Sequence, residues 1–240
     1  MTELMRRRRA LMWAHGGGSE HGTWADLFRA INAGTYATEY TLGEVIPTTI
    51  GDYTVKMQII AFNADTISGT NDTAAVSLLS YTVLPDNRRF NPAYVAGTVG
   101  TGTIGGWANS ELRTNLNDST FLSTIQSDVA ARIVTVDKYS LGYDVTDAKE
   151  NNKKSEDKIW IPSAHEYRAT FGETVGATYS FFSDNNLRKR WNYAETAAVG
   201  SKTRTAFSTT RVWCPSASGR VESTADVNIS ETVAIGFCVN

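Results

Sequence analysis

Four short blocks set the terms on which this chain can fold: Gly105-Gly106-Trp107-Ala108-Asn109-Ser110-Glu111-Leu112-Arg113, Ile159-Trp160-Ile161-Pro162-Ser163-Ala164-His165-Glu166, Arg211-Val212-Trp213-Cys214-Pro215-Ser216 and Ile235-Gly236-Phe237-Cys238-Val239. Each joins a large aromatic to residues that turn the chain or cap a helix. None has the makings of a catalytic triad, a metal cage or a phosphate loop. The blocks therefore predict a scaffold that displays a binding surface.

Upstream, residues 3–14 can form a short helix with Leu4, Met5, Leu11 and Met12 on one side and Arg6, Arg7, Arg8 and Arg9 around the rest. Twelve residues are marginal as an isolated helix in water, so this segment is expected to borrow stability from a neighbouring chain and serve as an assembly anchor. The apolar run after the arginines is five residues long, short of the roughly 7–15 of a secretion signal, and no signal is expected. No stretch approaches the ~20 apolar residues of a membrane helix. The domain reading is thus an anchor with a glycine joint over residues 1–20 and one domain over 21–240.

That domain opens with a helix over 23–34, with Thr23 as N-cap, Asp26 at the third position, Trp24, Leu27, Phe28 and Ile31 at helical spacing, and Gly34 as the left-handed stop. The period then changes. Tyr53, Val55, Met57 and Ile59 alternate with polar residues, a strand ending at Phe62, and 75–81 reads as a second strand. Residues 85–106 predict a long loop whose glycine-rich end is flexible. Helices are expected over roughly 109–117 and over 119–130 (capped by Asp118 or Ser119), and a strand over 133–136. Residues 144–158 hold nine charged positions in fifteen and read as an exposed loop. Ser163 and Glu166 form a capping-box pattern for a short helix, and short strands follow at 206–208, 211–214, 219–221 and 232–239. Helices and strands are mixed without βαβ alternation, so the class is α+β.

Candidate chemistry is sparse. His165-Glu166 opens like a zinc-protease helix, but no second histidine stands four residues on, and no metal site is expected. The glycines from Gly97 to Gly106 lack the Lys-Ser/Thr that closes a phosphate loop. Cys214 and Cys238, the only two cysteines, sit in apolar strand-like runs and read as reduced and buried in preference to bridged. A nucleophilic Cys214 would need a base that cannot be identified. Catalytic residues and cofactors are accordingly expected to be absent. Net charge is −2, which argues against nucleic acid across a broad face. Recognition is best served by 187–220, where Arg188, Arg190, Trp191, Tyr193, Arg204, Arg211 and Arg220 stand among short hydroxyl residues. Arginines and aromatics are the side chains enriched at binding hot spots.

The block order Gly-Gly-Trp107-x-x-Ser110-x-Leu112-Arg113, Asp157-Lys158-Ile159-Trp160-Ile161-Pro162-Ser163-x-x-Glu166, Arg211-Val212-Trp213-x-x-Ser216 and a terminal Gly-Phe-Cys-Val resembles a domain family of unknown function, widespread in gut bacteria and their prophages and similar to C-type lectins. Formylglycine-generating enzymes and the variable receptor-binding proteins of phage tails share that fold class. Trp213-Cys214-Pro215-Ser216 departs from the family's Trp-Leu-Arg-Ser, and Ile235-Gly236 replaces its Arg-Pro, so the resemblance carries a fold and no ligand site. Its implied fold is a C-type-lectin-like domain of short helices on twisted, mainly antiparallel sheets behind the N-terminal helical anchor.

The function expected on these grounds is that of a bacteriophage virion protein of the tail, baseplate or capsid decoration. It would be oligomeric, anchored to other virion proteins through its first residues, and would bind a host-surface glycan or protein, or neighbouring virion subunits, without covalent chemistry. The competing readings are a cysteine-dependent enzyme of the formylglycine-generating type and a bacterial surface adhesin.

Overall fold

The computed structural model describes residues 22–146 and 149–240. The expected anchor, with Leu4, Met5, Arg6–Arg9, Leu11 and Met12, lies outside them. The first helix, α1 (Trp24–Ala33), is built as its sequence dictates. Thr23 Oγ1 accepts from the Asp26 amide at 3.3 Å while the Asp26 carboxylate accepts from the Thr23 amide at 3.0 Å, and Gly34 closes the helix at φ 69°. Trp24, Leu27 and Ala30 face inward. The Trp24 indole donates to Pro47 O (3.0 Å), which docks the helix on strand β1 (Val45–Ile50).

After a short helix α2 (Tyr36–Glu39), β1 pairs with β2 (Tyr53–Phe62), and β2 with β3 (Val76–Ser80), all antiparallel. The far half of this five-stranded sheet comes from much later in the chain. The last strand, β12 (Gly236–Val239), lies between β3 and the two-residue β4 (Ile133–Val134). One continuous hydrophobic core runs from Trp24 to Val239, so residues 24–92 are part of the same packed body as the rest.

The remaining strands form smaller sheets: a hairpin of β5 (Val136–Tyr143) and β6 (Lys149–Asp157), a two-residue pair β7 (Arg190–Trp191) and β8 (Ala198–Val199), and a three-stranded sheet with β10 (Arg211–Pro215) between β9 (Ala206–Ser208) and β11 (Val221–Asp226). Helices α3 (Glu111–Asn117), α4 (Ser119–Leu122), α5 (Ser127–Ala130) and α6 (Asn185–Arg188) are short. Mixed helices and antiparallel sheets make the class α+β. Among the described residues no helix is long and apolar enough to cross a membrane.

Four expectations need correction. The charged stretch 144–158 is not a loop throughout, because its second part is β6. Ser155 and Asp157 point inward there while Lys154, Glu156 and Lys158 stay outside, so the strand alternates without apolar residues to mark it. Helix 119–130 breaks in two, since the backbone at 124–126 pairs instead with the β1–β2 turn (Gly51 N to Thr124 O 2.8 Å, Gln126 N to Thr49 O 2.9 Å). Ser163 and Glu166 exchange both capping-box bonds (2.9 and 3.1 Å), yet only a turn follows, ended by Arg168 at φ 61°. The glycine-rich end of the 85–106 loop is packed instead of loose: a Cβ on Gly142 would stand 2.6 Å from the Gly106 Cα, a backbone approach only glycine permits.

Candidate functional site

The four blocks converge and hold one another. Asp157, fully buried, accepts from Trp107 Nε1 (2.8 Å), Arg113 Nε (2.5 Å) and the Ser155 hydroxyl (2.7 Å), welding the first block to the lead-in of the second. Asn117 continues the seam by bonding Lys158 N, Ile159 N and Ile159 O. The backbones of Trp160 and Gly236 exchange two hydrogen bonds (2.9 and 2.7 Å), and the indole lies where a Gly236 side chain would start, 2.5 Å from a built Cβ. The third block joins through Thr203 N to Trp213 O (3.0 Å) and Arg204 N to Pro162 O (3.0 Å). These contacts consume the conspicuous side chains in framing the fold.

The seven residues expected to bind ligand are not brought together. Arg190 and Arg204 must be withdrawn from any surface, being 1% and 2% exposed. Arg190 spreads its guanidinium over Leu187 O (2.7 Å), Gln58 Oε1 (3.1 Å) and Ser80 O (3.2 Å) without a carboxylate, and burial pushes its pKa down. Arg204 grips both oxygens of Glu166 at 2.7 Å. Trp191 is half-buried against Tyr81, and Arg188 is tied to Phe182 O and Asn185. Tyr193 is exposed beside Tyr53, accepting from Thr54 N at 3.2 Å. Arg211 on β10 and Arg220 in the turn before β11 are exposed, paired with Asp226 (2.8 Å) and Glu222 (3.1 Å).

The same region nevertheless forms an open groove of about 460 Å³, lined by residues 199–201, 214–217, 223–225 and 230–232 together with Asn87. Asn87 is held there because the backbones of Arg88 and Glu231 bond each other (2.8 and 3.1 Å). Thus the 85–106 loop reaches the groove through Asn87, and the segments around β10 and β11 supply the rest of its lining. The lining is rich in hydroxyls (Ser201, Ser216, Ser223, Thr224, Ser230, Thr232) with one carboxylate, Glu231. A second depression of about 330 Å³ shares Asn87 and Ser230 and extends the trough past Arg88, Arg89 and Glu111. Arg89 and Glu111 meet there through two bonds of 3.0 and 2.8 Å.

Cys214 lines this groove, and both cysteines are free and buried, as expected. Burial, reinforced by Glu231, pushes the Cys214 thiol up to about 12, so it is protonated and a poor nucleophile near neutrality. Lys202 lies buried nearby, its ammonium held by the carbonyls of Asp226 (2.8 Å) and Ile229 (2.5 Å), and burial lowers its pKa. Among the described residues no group of three or more His, Cys, Asp or Glu is placed to hold a metal ion.

Sequence reasoning missed a second cluster, wholly inside the protein. Lys138 on β5 meets Asp65, Glu166 and Tyr179 over the face of Trp160, with Arg204 behind Glu166. Its members come from distant parts of the chain and share no motif, so the signals in the sequence were Glu166, read as a cap, Arg204, read as a ligand contact, and Trp160 of the second block.

A family model described as a domain of unknown function, DUF6273, matches residues 93–240. No curated protein and no solved structure matches the chain. The matched segment contains all four blocks, the β5–β6 hairpin and most of the groove, and omits β1–β3 and Asp65. It spans more than half of the sequence and carries the contacts that frame the fold, and on that ground the chain belongs to the DUF6273 family.

Proposed function

We propose that this protein is a bacteriophage virion component of the tail, baseplate or capsid decoration, presenting a C-type-lectin-like domain that binds a host-surface glycan non-covalently in the groove beside β10 and β11. The observation that carries the reading is the groove's lining. Hydroxyls both donate and accept, backbone edges add further partners, and Glu231 and Glu111 balance Arg88 and Arg89. That chemistry suits a neutral polyhydroxylated ligand, with polar edges and apolar faces, better than an anion. The protonated Cys214 thiol favours binding over covalent catalysis at this place. Short helices on antiparallel sheets, together with the four blocks, support the lectin-like comparison. Repetition of the subunit in a particle would raise a weak single-site affinity by avidity.

The test is binding of the full-length chain to a glycan array and to whole candidate host cells, beside Ala217→Trp and Ser230→Trp, which fill the groove. Binding that falls at least about tenfold in both variants, with unchanged thermal unfolding, supports the reading; tenfold corresponds to about 1.4 kcal/mol. A wild-type chain that binds neither glycans nor cells is a packing subunit, and the glycan reading is then wrong.

A further inference from the structure

We propose that Lys138 and Asp65 condense into an intramolecular isopeptide bond, with Glu166 carrying the proton between them. Two lysines are buried among the described residues, and they differ in what they meet. Lys202 touches backbone carbonyls. Lys138, 1% exposed, has its Nζ 2.6 Å from Asp65 Oδ1, 3.0 Å from Glu166 Oε1 and 2.7 Å from the Tyr179 hydroxyl, and 3.6 Å above the centre of the Trp160 ring. The other two buried carboxylates paired with cations, Asp157 and Glu166, also face arginines. A guanidinium has no free amine to acylate.

The geometry supplies each part of an acyl transfer. Asp65 Oδ2, the oxygen remote from Lys138, accepts from Ser77 Oγ (2.5 Å), Tyr179 OH (2.9 Å) and the Cys238 thiol (3.4 Å). Ser77 and Cys238, with Tyr179 whenever its one proton turns to Oδ2 in preference to Oδ1 at 3.0 Å, form a cradle for negative charge developing there. Glu166 is placed to carry the proton, 3.0 Å from Nζ: burial pushes its carboxyl up, but Arg204, Lys138 and the Ser163 amide more than cancel this and hold it ionised, at about 2, a weak base that readily gives up the proton it takes. Asp65 and Glu166 likewise outweigh burial and keep Lys138 protonated in the resting state.

The reaction therefore begins with transfer of one proton from the Lys138 ammonium to Asp65 Oδ1 along the 2.6 Å contact, which leaves the net charge of the core unchanged. The freed amine lone pair attacks Cγ, and the carbonyl electrons move onto Oδ2. Glu166 takes a proton from the new N⁺H₂ and returns it to the Oδ1 hydroxyl, which departs as water while the carbonyl re-forms. One C–N bond is made, one C–O bond is broken, and nothing is oxidised or reduced. The product exchanges a buried ion pair for a neutral amide and leaves Arg204 and Glu166 to balance each other. Holding amine and carboxyl in contact away from water gives the high effective concentration that such a condensation requires.

The experiment is the intact mass of the full-length folded protein after denaturation, followed by peptide mapping. The proposal expects a mass below that of the sequence by about 18 Da, one water, carried by a branched peptide joining Lys138 to Asp65. Lys138→Arg keeps the cation and should keep the full mass. A folded wild-type protein at full mass, or a loss that maps to any other pair of residues, overturns the proposal. Neither outcome bears on whether the groove binds a ligand.

Discussion

At Glu166 one side chain serves the turn that begins at Ser163 and the charge balance of the core. Replacing a single member of a buried charged set costs about 3–5 kcal/mol, because it strands the partners without their counter-charge. Glu166→Gln would leave Arg204 gripping a neutral amide, so we expect destabilisation in that range. The pH dependence follows from the sign of the shift. The folded value, about 2, lies below the ordinary 4.5, so ionised Glu166 stabilises the folded state above pH 4.5. That contribution is lost as pH falls through 4.5 toward 2. Denaturant unfolding of wild type and Glu166→Gln between pH 2.5 and 7 measures it. The gap between the two curves should narrow with acid, and a gap independent of pH would remove Glu166 from the account.

Among the elements, those whose signals are local were legible in advance. α1 carries its periodic apolar face, capping box and terminal glycine within twelve residues, Thr23 to Gly34, and each formed where expected. Asp118 likewise caps α4 by accepting from Phe121 N at 2.9 Å. Thr23→Ala and Asp118→Ala should each cost about 1 kcal/mol, read as a shift in the denaturation midpoint; a cost below a few tenths would mean the caps are idle. Elements whose reasons lie elsewhere were not legible. β6 hides its inner face in Ser155 and Asp157, whose burial makes sense only once Trp107 and Arg113 are in place. The break at residues 123–126 depends on the β1–β2 turn. Of the seven residues expected to bind ligand, Arg190 and Arg204 lie in the core, and the groove nearby is lined by other side chains. Arginines draw the eye in a sequence, and two of them proved to be core supports, while the groove is lined by serines and threonines that carry no periodic signal.

At the scale of the whole molecule, the family boundary at residue 93 does not coincide with a physical one. Three of the five strands in the central sheet, and Asp65 beneath Lys138, come from before it. A fragment of residues 93–240 would expose one edge of β12 and the apolar face that β1–β3 cover, and would leave Lys138 only Glu166, which Arg204 also grips, as counter-charge. We expect it to fail to fold cooperatively, with poor amide dispersion in NMR spectra and no sharp thermal transition. A well-folded fragment would show that β1–β3 are an accessory layer.

The position of β12 also has a meaning in time. The edge of β3 ends at Ser80 and its partner begins only at Gly236, so the ribosome must add more than 150 residues before that edge can be closed. At about 5–20 residues per second the wait is roughly 8–30 s. Throughout it, a fully buried strand, Val76–Ser80, stands with one row of amides and carbonyls open to any passing strand. The nascent chain is thus most exposed to aggregation during its own synthesis, and slower translation lengthens the hazard.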